Sequence, residues 1–345
     1  MDELKLLREM RNDIPIVKDS VIDSGRDQLL HRIAPGGVKK SKRRPRKALR
    51  ITLMTAATLG LVTALVGGNV IGLAGWRGAA SAEAAEVLNN AAKLAINSTD
   101  PVLAPGQYLK IDSTNLWLSE STPAVAEGDK FVAGTPVSWL DTEKMSIYVP
   151  ADRDQEWVWD RSGRVPTTFF SAQAKETALE QAKDIGDTSE HLRAANGAFY
   201  GSPSTLPSEK ELAGYSRDPR MLLNDIYLKT LGAGQSLDGE ALVWIADLLR
   251  TGLVPADLRA ALYKAASLIP GVSVTDNQAT LDGQRGVAIG RVEGASNVRQ
   301  DIIIDSATGQ LIGERQVALE AMGSVPAGAT IGWTTIRTTV VDSAP

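Results

Sequence analysis

Ile51 to Trp76 reads ITLMTAATLGLVTALVGGNVIGLAGW, 26 positions without a charged side chain, and no other feature limits the folding of the chain as much. At about 1.5 Å per residue the run makes roughly 39 Å of helix, against the roughly 30 Å of a bilayer's hydrocarbon core. Its Leu, Val, Ile and Met residues are spread round the helix instead of forming the stripe of a soluble surface helix. The sequence therefore predicts a transmembrane helix over 51–76. A cleaved leader has a shorter apolar stretch, about 7–15 residues, close to the N-terminus. The small-x-small patterns Ala80-Ser81-Ala82 and Ala82-Glu83-Ala84 leave processing after the run open.

Charge gives the run a direction. No acidic residue stands between Asp27 and Glu83, while Lys39, Lys40, Lys42, Arg43, Arg44, Arg46, Lys47 and Arg50 form a basic stop at 39–50. Only Arg77 lies close on the other side. The positive-inside rule then places the N-terminus in the cytoplasm and the C-terminal part outside, in a single-pass cell-membrane protein. Residues 1–50 hold 14 Lys and Arg against 7 Asp and Glu, a net of +7, which leaves 23 against 34, or −11, in the remaining 295 residues. An acidic C-terminal part repels phosphate backbones, so nucleic acid is not an expected partner. Gly68 and Gly72 form a small-xxx-small pair that permits helix dimerisation, although Gly is common in membrane helices and the oligomeric state stays open.

The segment 1–38 carries two short amphipathic patterns, one through Leu4, Leu7 and Met10 ended by Pro15, the other through Ile22, Leu29 and Leu30 ended by Ala34-Pro35-Gly36-Gly37. Two helices this short cannot bury their apolar faces on each other as an independent domain. Leu4, Leu7, Met10, Leu29 and Leu30 are therefore expected to contact a cytoplasmic partner, since apolar anchors at this spacing suit a helix-in-groove contact.

Residues 77–100 read as an Ala-rich membrane-proximal helix with Val87, Leu88, Ala91, Leu94 and Ala95 on one side, ended by Asp100-Pro101. An extracytoplasmic α+β domain is expected over 101–345. Its strands are expected at Gln107–Leu118, Met145–Val149 and Glu156–Asp160, then at Val272–Val274, Gly286–Val292, Val298–Asp305, Gln310–Leu319 and Thr330–Val341. Between the two groups a helical insertion is expected at Ala172–Ala182, Pro219–Leu231, Gly239–Arg250 and Ala256–Leu268, the last bracketed by Pro255 and Pro270-Gly271. Cysteine is absent, so the domain holds together without disulfides and lacks most structural zinc chemistry.

No catalytic signature stands out: there is no G-x-S-x-G, H-E-x-x-H or P-loop pattern. His191, in a stretch read as polar helix, is the one histidine after residue 100, so a Ser-His-Asp triad has a single candidate base. A non-enzymatic protein without cofactor or metal is expected. Six tryptophans of the domain most simply fill its core. Trp157 and Trp159 share one strand face and are the pair expected to line a ligand groove.

Leu4 to Pro15 (LKLLREMRNDIP), Arg26-Asp27-Gln28-Leu29-Leu30, Pro105-Gly106-Gln107-Tyr108, Ala256 to Val272 (ADLRAALYKAASLIPGV) and Asp305 to Val317 (DSATGQLIGERQV) resemble actinobacterial single-pass membrane proteins often encoded beside extracytoplasmic-function sigma factors. That family has largely unassigned function and supplies no catalytic residues. The chain lacks the His-x-x-x-Cys-x-x-Cys of zinc-binding anti-sigma domains. The D-x-x-T-G-x-L strands are distantly similar to the curved half-barrels of periplasmic lipoprotein carriers and envelope-stress regulators. The resemblance implies an envelope sensor or regulator whose N-terminal helices bind a sigma factor. The alternative is an envelope protein that binds lipid, glycan or peptide.

Overall fold

In the computed structural model, residues 78–127 and 130–345 are described, the side chains of 124–132 excepted. The first element is helix α1, Ala82–Asn97, which starts where Ser81 Oγ accepts from Ala84 N. It buries Ala84, Leu88, Ala91, Ala92 and Ala95, a stripe at helical spacing. Strands β1 (Tyr108–Ser121) and β4 (Val137–Pro150) pair antiparallel along their whole length, and the chain between them forms a separate hairpin, β2 (Ala124–Glu127) with β3 (Lys130–Ala133). Strands β5 (Glu156–Arg161) and β6 (Val165–Phe169) follow, then helix α2 (Ala172–Ile185) and strand β7 (Glu190–Ala195).

A helical stretch comes next: α3 (Glu209–Gly214), α4 (Pro219–Lys229), α5 (Leu237–Leu249) and α6 (Ala256–Ala266). Side chains at the N-caps define three of these starts, Ser208 for α3, Asp218 before Pro219 for α4 and Ser236 for α5. Helix α6 is capped from a distance, because Asp100 Oδ2 accepts from Ala256 N at 2.7 Å while Asp100 Oδ1 also binds Arg259. The end of α1 is thereby tied to the start of α6. The chain closes with β8 (Ser273–Leu281), β9 (Gln284–Glu293), β10 (Val298–Ile304), β11 (Leu311–Ala318) and β12 (Thr330–Val341).

The main sheet has ten strands in the order β7-β5-β4-β1-β12-β11-β10-β9-β8, with β6 also on β4. All its pairings are antiparallel, and the β1–β12 ladder, Tyr108 opposite Val341 to Trp117 opposite Gly332, joins the early strands to the late ones. One face of the sheet carries Ile111, Val149, Trp157, Ile289, Ile302, Ile304, Leu311 and Ile336 into a core shared with α1 and α3–α6. Helix α6 lies deepest: Leu258, Leu262, Tyr263, Ala265 and Ala266 are all 0% exposed. Its alanines let α1 approach closely, Ala on Ala. Helix α2 covers another part of the same face, setting Ala174 and Ala178 on Val137 and Trp139.

The expected fold is corrected. The described residues form a mostly antiparallel sheet with few helices, and among them no helix is long and apolar enough to cross a membrane. The longest, α1, has 16 residues and includes Glu83, Glu86 and Lys93. The apolar residues here alternate along strands or line single helix faces, which suits a packed core. The expected transmembrane, single-pass segment 51–76, the segment 1–38 with Leu4, Leu7, Met10, Leu29 and Leu30, and the basic stop at 39–50 lie outside the described residues. His191 is on strand β7 and not on a helix.

Candidate binding groove

The helix-facing side of the sheet changes character along each strand. On β1, Leu109 and Ile111 belong to the core, and the next positions on that face are Ser113, Asn115 and Trp117. The ladders set Asn115 opposite Glu143 on β4 and opposite Thr334 on β12, and Thr334 opposite Glu314 on β11. Glu143, Asn115, Thr334 and Glu314 thus form one row across four strands, 5%, 3%, 8% and 8% exposed. The row runs between the part of the face covered by α2 and the part covered by α5 and α6. Buried polar groups are normally all hydrogen-bonded, but the Asn115 Nδ2 group has no partner.

Arginines stand at both ends of the row. At one end Arg250, which caps the C-terminus of α5, donates to Glu314 Oε1 at 2.8 Å and reaches Asp247 at 2.9 Å, while Gln300 Nε2 donates to Glu314 Oε2 at 2.9 Å. A guanidinium at that helix end also suits the helix dipole. Burial pushes the Glu314 carboxyl above the usual carboxylate range, and Arg250 offsets part of the shift. Burial raises Asp247 in the same way. At the other end Arg161 and Arg164 approach Glu143 at 3.8 and 4.0 Å, too far for hydrogen bonds. Arg164 also lies over the Trp117 ring, 5.4 Å from its centroid.

A cleft of about 300 Å³ opens at the Glu314 end of the row. It draws on both register sets of the sheet, with Trp117, Gln316, Thr334 and Glu314 beside Arg250, and Leu116, Ile331 and Trp333 from the alternate positions. It lies where β12 carries Gly332, which has no side chain, and where the β11–β12 register slips between Gln316 and Val317. Trp117 is 37% exposed and is the open aromatic surface of the cleft. Beneath it on the opposite face, Asp301 is 0% exposed and accepts from Arg299, Arg315 and Thr275. Arg315 also pairs with Asp276 at 3.3 Å.

Trp157 and Trp159 do share one face, as their spacing predicts. Trp157 is 3% exposed in the core, and its Nε1 donates to Arg153 O. Trp159 packs on Phe199 and Tyr200, with ring centroids 5.3 and 6.2 Å apart, under the Arg161 guanidinium. Its Nε1 is buried without a hydrogen-bond partner.

At the β5–β7 edge, His191 Nδ1 lies 2.5 Å from Asp160 Oδ1, the orientation of a catalytic dyad, in a shallow depression that also includes Ser146, Ser162 and Ser189. Each of these hydroxyls donates its single proton elsewhere, Ser146 to Asp112, Ser162 to Gly163 O and Ser189 to Asp187. His191 is 47% exposed. As arranged, no serine nucleophile is linked to it. Among the described residues no group of His, Asp and Glu is placed to hold a metal ion.

No protein-family model matches this chain, and no curated protein or solved structure matches it either. The sequence counts Trp117 among the tryptophans expected to fill the core, whereas it is 37% exposed, and it does not mark Asn115, Glu143, Arg250, Thr334 or Glu314 as a site. The polar residues at alternate positions of β1 were visible in STNLWLSES, but only the strand registers bring them beside Glu143 and Glu314.

Proposed function

We propose that residues 78–345 form a non-enzymatic recognition domain whose ligand binds in the cleft across β1, β12 and β11, at the Glu314 end of the buried polar row. The observation that carries the reading is the Asn115 amide, buried in a four-residue polar row without a partner of its own. Leaving such a donor unmade costs about 1–3 kcal/mol, a cost that a group from outside the protein can relieve. Of the ligands expected from sequence, lipid fits least. The volume beneath the sheet that an acyl chain would need is filled by α6 side chains at 0% exposure.

Hydroxyl-radical footprinting of the full chain tests this, comparing the protein alone with the protein in the presence of a cell-wall extract. Protection is expected at Trp117, with exposed Met322 unchanged as a reference. Protection confined to the His191 depression, or none at Trp117, refutes the reading. The apolar anchors Leu4, Leu7, Met10, Leu29 and Leu30, together with the resemblance to sigma-factor neighbours, support a second role as a docking end for a cytoplasmic partner. A pull-down with residues 1–40 that recovers no sigma factor would remove it.

A further inference from the structure

The charges at the cleft are a guide to what binds there. Arg250 is already engaged by Glu314 and Asp247, and Arg315 by Asp301 and Asp276. Apart from the exposed guanidinium of Arg164 at the rim, which lies over Trp117 and faces Glu143 at 4.0 Å, an ionic ligand therefore meets no unmatched counter-charge at this point, and desolvating it there would be unfavourable. What the cleft offers beyond those pairs is neutral: the Thr334 hydroxyl, the exposed Gln316 amide and the open part of the Trp117 indole. The strands that form it, β1, β12 and β11, are interior to the sheet and paired on both sides, so an extended peptide cannot join them edge-on.

We propose that this cleft is a glycan subsite, taking one ring of a neutral, polyhydroxylated chain. The inference rests on the recognition reading above and names its ligand class. A sugar hydroxyl is both donor and acceptor, so it can satisfy Thr334 and Gln316 at once, and the second lone pairs of the Glu314 oxygens remain free to accept from it. The C–H face of a pyranose lies against Trp117, the part of the lining that is apolar and flat. A volume of about 300 Å³ is at the small end of the roughly 300–1,000 Å³ of ligand sites, which suits one ring of a longer polymer.

Gly332 gives a clean probe. A Cβ there would meet its nearest neighbours, Leu116 O and Gln316 Oε1, at 3.4 and 3.8 Å. Gly332→Val is therefore expected to fold while its side chain enters the cleft. The full chain is passed over immobilised neutral hexose and pentose polymers, an acidic polysaccharide and a peptide library, with Trp117 footprinting on each. Retention by a neutral polymer, competed by its free oligosaccharide and weakened at least tenfold by both Gly332→Val and Trp117→Ala, is the expected result. Gly294→Ala, a substitution in open space, should bind as the parent does. Circular dichroism and melting curves confirm that the variants are folded.

Retention by no neutral polymer overturns the glycan assignment, as does neutral-polymer binding that Gly332→Val leaves unchanged. Peptide or acidic polymer bound with Trp117 protected overturns the glycan class while leaving the groove reading intact. Absence of Trp117 protection with every probe overturns both.

Discussion

Asn115→Val separates what the groove does for folding from what it does for a ligand. Asn115 is 3% exposed and its Nδ2 has no partner, so the folded protein carries a desolvated donor that is hydrogen-bonded to water once unfolded. The penalty for such a group is about 1–3 kcal/mol. Valine removes it, and a β-branched side chain is well suited to the interior of a strand. Part of the gain is lost by setting methyl groups beside the Glu143 carboxylate, so the expected net stabilisation is about 1–2 kcal/mol. Urea unfolding followed by fluorescence reads this as a rise in midpoint at unchanged slope. Asn115→Asp should move the other way, because it puts a second carboxylate directly across the ladder from Glu143. Glycan retention should fall in the valine variant while stability rises. A loss of more than about 1 kcal/mol on Asn115→Val would mean that the amide is satisfied in the folded protein, and the argument for a reserved donor would collapse.

Other outcomes follow from named contacts. Gly290→Ala places a Cβ 2.0 Å from Asp301 Oδ1 and 2.5 Å from the Gln300 carbonyl oxygen; it should destabilise by about 3–5 kcal/mol through the buried charge network, whereas Gly294→Ala should melt as the parent does. Glu314 and Asp247 have carboxyls raised by burial, from 4.5 and 3.8 respectively, so the folded state binds protons more readily than the unfolded chain and their contribution to stability is lost as pH rises from those ordinary values through the raised ones. Glu314→Gln should flatten that limb of a melting-temperature profile, and an unchanged profile would exclude Glu314 as its source. Asp257 has the opposite sign, because its hydrogen bonds from Arg217 hold its carboxyl below the usual value. Its stabilisation is present above the ordinary carboxylate value and lost as pH falls through the depressed one, so Asp257→Asn should shallow the acid limb of a stability profile.

The parts of the fold that the sequence made legible are those where neighbouring residues settle the structure. Pro255 and Pro270-Gly271 bracket α6, and the apolar positions between them face the core. The β10–β11 turn is equally local: Asp305 accepts from Ala307 N and from Thr308 Oγ1, and Gly309 takes φ +70°. A side chain at Gly309 would also strike Ala91 O at 2.7 Å, so this turn is docked on α1. Strand β4 was expected only at Met145–Val149 because Asp141 and Glu143 occupy the face where alternation calls for apolar residues. Strand β7 differs from the polar helix expected there for a related reason, since only Leu192 separates Glu190 and His191 from Arg193, and its partner β5 lies on the far side of α2 in sequence.

The transmembrane expectation came from a composition argument about 51–76, and nothing in the described residues repeats that composition. The candidate site is hidden in the sequence for the same reason as the first half of β4. Each member of the row looks like an ordinary polar strand residue on its own. What makes Asn115 unusual is that its neighbours on both sides, Glu143 and Thr334, are themselves buried, and that relation depends on a register joining residues 115, 143, 334 and 314. A polar residue at an inward strand position thus weakens the sequence signal for the strand and marks its functional face at once. In this domain the unused donor, Asn115, lies on a strand that its own alternation already marks, and it becomes notable only through the register that sets it beside Glu143 and Thr334.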